Sequence, residues 1–243
     1  MTGLIYKEWR QNRLYIILTA VCGMAAILVP MLITLPDGSG LQPLIGGQGT
    51  VMRVMGLLLG FLGAGTFQNL TLKGDGRKAW GLFIASSPET ARGFLRVKYE
   101  MIFAMSVLVT SVCLLLDQLL GAVVFDATGQ PLPDISGVYL ALAFLQLFLR
   151  AIDLPFIFRF GDKRGGFIKM TAVVLLFIAA AVVIMINPGD IGVKLANGIK
   201  NGFDGDIALL AACLFPFAAI AAYFLSYRLS CRIYMKGVER YDG

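Results

Sequence analysis

Three charged residues interrupt apolar stretches of this 243-residue sequence: Asp117, Arg150 and Asp153. An ionised side chain near the middle of a hydrocarbon layer costs about 2.5–3.5 kcal/mol on insertion scales, so each needs a partner or a function. Arg150 and Asp153 stand three apart and can pair on one helix. Two readings are open for them: a satisfied structural pair beside Pro155, or the polar lining of a cavity through which a substrate passes. Depth separates them from Asp117. At about 1.5 Å per residue, Asp117 lies about 24 Å from the start of its stretch at Met101, and Arg150 about 12 Å from the end of its own at Phe158. Asp117 is therefore expected near the opposite surface, away from Arg150.

Other chemistries are poorly served. The sequence holds no His, so no imidazole base, proton relay or histidine metal ligand exists. Cys22, Cys113, Cys213 and Cys231 are far apart and form no CxxC, which suits small buried hydrophobes rather than disulfides or ligands. No G-x-x-x-x-G-K-[ST] phosphate loop occurs. The glycine-rich run Gly56–Gly65 lacks a lysine and sits inside an apolar stretch. Gly56 and Gly60 form a GxxxG, and with Gly63 they suit close helix packing, or a flexible gating element. An intramembrane enzyme would need converging nucleophiles or metal ligands, and the sequence offers little toward one.

The elements that must position these residues follow from composition. Apolar residues make up 58% and charged residues 15%, and mean hydropathy is +0.78. Six stretches are long enough to cross a bilayer, which takes about 20 apolar residues: 14–35, 51–72, 101–125, 136–158, 167–186 and 207–229. The expected fold is an all-α membrane protein with six transmembrane helices. Pro and Gly fall at the span ends (Pro36-Asp37-Gly38, Gly46-Gly47, Gly165-Gly166, Asn187-Pro188-Gly189), where freed backbone groups can reach water. On this layout 17 Lys and Arg flank one side and only Arg53, Lys194 and Lys200 the other. That bias places both termini in the cytoplasm and argues against dual topology. The net charge of +6 then reflects loop asymmetry and not a nucleic-acid partner. No signal-peptide cleavage pattern and no internal repeat is apparent.

The sequence divides into a segment 1–13, a transmembrane domain 14–229 and a tail 230–243. In the first segment Ile5 and Trp9 share a helical face, with Lys7, Arg10 and Gln11 mostly opposite. This suits a short helix in the cytoplasmic interface, or a basic flank that only sets topology. The external loop 187–206 holds Ile191, Leu195 and Ile199 at four-residue spacing, a lid-like interfacial helix or a plain connection. The cytoplasmic loop 73–100 is the largest feature outside the spans. Trp80, Phe83 and Ile84 recur on one helical face after Arg77 and Lys78. Ser87 reads as a helix cap, with Pro88 next, opening a helix that runs through Lys98 and Tyr99 into the third span. A short helix with an apolar face outside the membrane needs cover, from its own span ends or from a groove on a soluble partner.

Trp80, then Ser87-Pro88-Glu89-Thr90-Ala91-Arg92-Gly93-Phe94, then Lys98-Tyr99, resembles the first cytoplasmic loop of permease subunits of type-2 ATP-binding-cassette exporters. Thr90 stands where Ser is usual and Ala91 where a basic residue is usual. A second match, Leu154-Pro155-Phe156 followed by Phe158-Arg159-Phe160-Gly161-Asp162-Lys163-Arg164, runs from the end of the fourth span into the loop 159–166. It is similar to the subgroup that exports amphipathic peptide toxins of the phenol-soluble-modulin kind and to lantibiotic-immunity permeases.

The resemblance implies a permease of a bacterial plasma membrane, paired with a second copy or a related chain and with ATP-binding subunits. The cytoplasmic loop would carry a coupling helix, docking through Arg77, Lys78, Trp80, Phe83 and Ile84 together with Arg159, Lys163 and Arg164. ATP and Mg would be bound by the partner subunit, and this chain would carry no cofactor and no ATPase site of its own. An amphipathic or hydrophobic substrate, preferably a peptide, would leave the cell by alternating access. A membrane scaffold and an ATP-independent transporter are the competing readings.

Overall fold

A computed structural model describes residues 2–34, 44, 47–73, 90–160, 171 and 205–239. Among them run five helices: α1 (Thr2–Thr34), α2 (Gly47–Lys73), α3 (Thr90–Thr128), α4 (Ser136–Phe160) and α5 (Gly205–Glu239). All five are long and apolar enough to cross a membrane. Four of the expected spans coincide with α1 to α4 and the last with α5. The expected span 167–186 lies outside the described residues, as do the coupling helix, Ser87, Pro88 and the external loop helix.

The helix ends follow from their residues. At the end of α3, Gly129 takes φ 69 and its N–H donates to the Phe125 carbonyl at 2.8 Å. A left-handed residue there stops the helix, and glycine adopts it without a Cβ clash. Pro131 and Pro133 then block resumption. At the start of α4 the Asp134 carboxylate accepts the Ser136 N–H at 2.8 Å, which satisfies one of the first-turn donors.

The chain divides into two compact units, Met1–Leu147 and Phe148–Gly243, with the division inside α4. In the first unit the helices alternate in direction. Lys98 near the start of α3 meets Glu8 near the start of α1 and the Thr71 carbonyl near the end of α2. At the other end Arg53 of α2 meets Asp117 of α3. Gln146 of α4 donates to the Phe61 carbonyl of α2 at 3.2 Å.

Small residues let α1 and α2 close on each other. A Cβ at Gly56 would overlap Pro30 and the Ala26 carbonyl, and one at Gly60 would overlap the Ala26 side chain. At Gly63 it would stand 3.0 Å from the Cys22 sulfur. The core beside this seam holds Ile27, Leu57, Phe61, Val109, Cys113 and Tyr139.

One stripe of α1 is buried along its whole length: Glu8, Asn12, Ile16, Thr19, Ala26, Ile27. Ile5, Trp9, Leu14, Ile17 and Leu28 are exposed. In water this pattern would be inside out. In hydrocarbon, where lipid tails are as apolar as leucine, polar groups gain by turning inward and leucines lose nothing by facing out. The stripe also corrects the reading of residues 1–13 as a separate short helix. Nothing breaks the backbone near Arg13, so α1 is continuous from Thr2, and the face of its first turns that packs inward is the polar one.

In the second unit Phe148 lies beside Phe215, and Phe158 beside Tyr234, with ring centroids 6.2 Å apart in each pair. Later residues of α4 thus meet later residues of α5, so the two helices run the same way.

Candidate functional site

Among the described residues buried charge gathers in three places. The first joins α2 and α3. Arg53 donates to an Asp117 carboxylate oxygen at 2.6 Å and to the Pro133 carbonyl at 3.1 Å. The guanidinium is 1% exposed and the carboxylate 18%. These groups, with Gly121, Phe125, Pro131, Leu132, Pro133 and Asp134, line a cavity of about 300 Å³. Two carboxylates and one guanidinium face an apolar wall there. Asp134 is held ionised, its carboxyl lowered from the ordinary value first by the Ser136 backbone N–H and further by the charge of Arg53. Arg53 Nε makes no hydrogen bond among the described residues. The Asp117 and Asp134 carboxylates thus give the cavity acceptor oxygens for a polar guest or for water.

The second place joins α1, α2 and α3. Lys98 Nζ lies 2.6 Å from Glu8 Oε2, with the two side chains 2% and 1% exposed. Asn12 donates to the same carboxylate at 2.9 Å, and Lys7 to its other oxygen at 3.0 Å. Lys98 also reaches the Thr71 carbonyl at 3.3 Å. The Phe94 ring lies 5.6 Å from the Lys98 ammonium and 5.9 Å from that of Lys7. The sequence reading counted Lys98 only as a loop charge and part of a motif, and passed over Glu8. Polar residues four apart in front of an apolar span, Glu8 and Asn12, were the available signal.

The third place lies in the second unit. Arg150 and Asp153 pair at 3.1 Å on α4, each 9% exposed. Ser226 and Ser230 of α5 are buried polar residues of the same unit. The pair is one turn before Pro155, which sits inside α4.

Asp117 has a partner that the sequence did not point to. Its partner is Arg53, 64 residues away in sequence, a cation that had been assigned to the outer side by loop position alone. Gly56, Gly60 and Gly63 back onto α1 as described. Of the expected docking residues, Arg159 is exposed near the end of α4, its guanidinium 5.2 Å from the Phe160 ring centroid. Arg77, Lys78, Trp80, Phe83, Ile84, Lys163 and Arg164 lie outside the described residues. Among the described residues no group of His, Cys, Asp and Glu is placed to hold a metal ion.

A family model described as ABC-2 family transporter protein matches residues 44–235, which is most of the chain. No curated protein matches it, and no solved structure does.

Proposed function

The chain belongs to the ABC-2 family of transporter proteins, and from that premise we propose that it is the permease half of an ATP-driven exporter for amphipathic or hydrophobic peptides. The family match over residues 44–235 carries the reading. Five helices able to cross a membrane agree with a multi-pass membrane protein of this kind. The sequence contains no phosphate-binding loop, so ATP hydrolysis is assigned to a separate ATP-binding subunit, which also holds the Mg. Force from that subunit enters through the loop 73–100, whose Arg77, Lys78, Trp80, Phe83 and Ile84 form the coupling helix, with Arg159, Lys163 and Arg164 beside it.

On this reading the chain has six spans and cytoplasmic termini, works as a homodimer or heterodimer, and sits in a bacterial plasma membrane. The peptide substrate rests on the Leu154-Pro155 to Arg164 resemblance. Arg150 and Asp153, with buried serines in the same unit, are the polar groups of the transport path.

Pull-down of the tagged chain from its native membrane in mild detergent, followed by mass spectrometry and an ATPase assay, tests the proposal. A stoichiometric ATP-binding subunit with turnover is the expected result, and stimulation by a cationic amphipathic helical peptide then tests the substrate class. A single polypeptide with no ATPase would overturn the permease reading. Trp80→Asp is expected to release the ATP-binding subunit while the chain stays monodisperse. Retained co-purification would move the docking site elsewhere.

A further inference from the structure

We propose that Glu8 and Lys98 form an electrostatic latch that makes the N-terminal turns of α1 part of the path from the ATP-binding subunit into the membrane. The inference rests on the permease reading above. Its observations are independent of that reading.

The lengths come first. At 1.5 Å per residue α1 and α3 are about 50 and 58 Å long, while a hydrocarbon core is about 30 Å thick. Each helix therefore stands well beyond the lipid. Glu8 precedes the apolar stretch of α1, and Lys98 precedes that of α3. Their contact joins the protruding ends, where hydrocarbon no longer holds the helices in place.

The contact is closed on every side. The Glu8 carboxylate takes donors from Lys7, Asn12 and Lys98, and Lys98 adds the last turn of α2 through Thr71. One carboxylate thus ties the near ends of three helices. A buried ion pair is weak evidence for stability, because desolvation offsets the attraction, and its best-attested use is to fix register. Here the register fixed is that of α1 against α3. Thr90, the first residue of α3, follows directly on the loop assigned to coupling. Axial movement of α3 therefore carries α1 with it instead of sliding past it.

The test uses the full chain in complex with its ATP-binding subunit in nanodiscs. Spin labels go on cysteines at Arg10→Cys and Glu100→Cys, two exposed positions beside the latch, with the native cysteines replaced. The wild-type latch should give one narrow distance distribution, unchanged when ATP is trapped. The double variant Glu8→Gln with Lys98→Met removes both charges and leaves none stranded. It is expected to assemble and hydrolyse ATP, to show a broadened distribution, and to lose at least ten-fold in peptide moved per ATP. Glu8→Asp, which keeps the charge, should recover most of the coupling.

A double variant that transports like wild type overturns the latch. So does a wild-type distance that shifts on trapping ATP, a measurement that needs no variant to fold. Should no ATP-binding subunit co-purify, the permease reading falls instead. The nucleotide-free comparison of wild type and double variant still reads the latch.

Discussion

The two ends of the α1–α3 bundle each hold a 2.6 Å ion pair between helices, yet they are built differently. At the Glu8 end both partners are buried and further polar groups from α1 and α2 complete the set. At the Arg53 end Asp117 is 18% exposed, and the pair borders a cavity of about 300 Å³. Arg53 Nε there has no hydrogen-bond partner among the described residues. A closed pair ringed by bonded neighbours keeps its geometry. An open pair can exchange a partner for water or for a guest, so its geometry can change during transport. The chain thus has one end made to hold and one end made to rearrange.

Removing the carboxylate at each end gives the sharpest contrast. Glu8→Ala leaves Lys98 buried, and stranding one partner of a closed pair costs about 3–5 kcal/mol. Asp117→Ala leaves Arg53 its Pro133 carbonyl and access to water in the cavity, so the loss is about 1.5–3 kcal/mol, that of a hydrogen bond to a charged group. Thermal midpoints in detergent should fall further for Glu8→Ala. Equal shifts would break the comparison and make both ends structural.

The seam between the two ends comes next. Gly60→Ala drives a methyl into Ala26, and overpacking of this kind costs about 1–3 kcal/mol. Gly63→Ala meets only the Cys22 sulfur at 3.0 Å, a side chain that can turn away, so its loss is smaller. A scan of midpoints across Gly56, Gly60 and Gly63 should therefore decline toward Gly63. A flat scan would mean that α1 and α2 are free to separate, and that the end pairs alone keep them together.

How far the sequence foretold this depends on the range of each interaction. Helix identity and the four spans over α1 to α4 were legible, because apolar runs ended by Gly and Pro are local signals. The Arg150–Asp153 contact was legible too, since three residues on one helix fix the distance. Arg53–Asp117 was not. It joins helices 64 residues apart, and no periodicity within α2 says which helix its buried face meets. The N-terminal segment misled for a second reason. Ile5 and Trp9 mark an apolar face suited to the interface, and nothing in their spacing says that the opposite polar face of Glu8 and Asn12 packs on neighbouring helices.

The smallest effect sharpens the comparison at the open end. Asp134 is exposed and its carboxyl is lowered mainly by the Ser136 N–H. A carboxyl depressed in the folded chain contributes stability above its ordinary value, about 3.9, and that contribution fades as pH falls through the lower, folded value. Acid should therefore loosen the first turn of α4 only below about pH 4. Hydrogen exchange at Val138 and Tyr139, rate-corrected for pH, would show fraying in that range and none near neutrality. Asp134→Ala should show the same fraying at neutral pH, while exchange around Lys98 stays unchanged in both cases. Were acid to loosen both ends together, the cavity end would not be the more yielding of the two. A response at α4 alone would locate the adaptable part of the bundle where Arg53, Asp117 and Asp134 share one cavity.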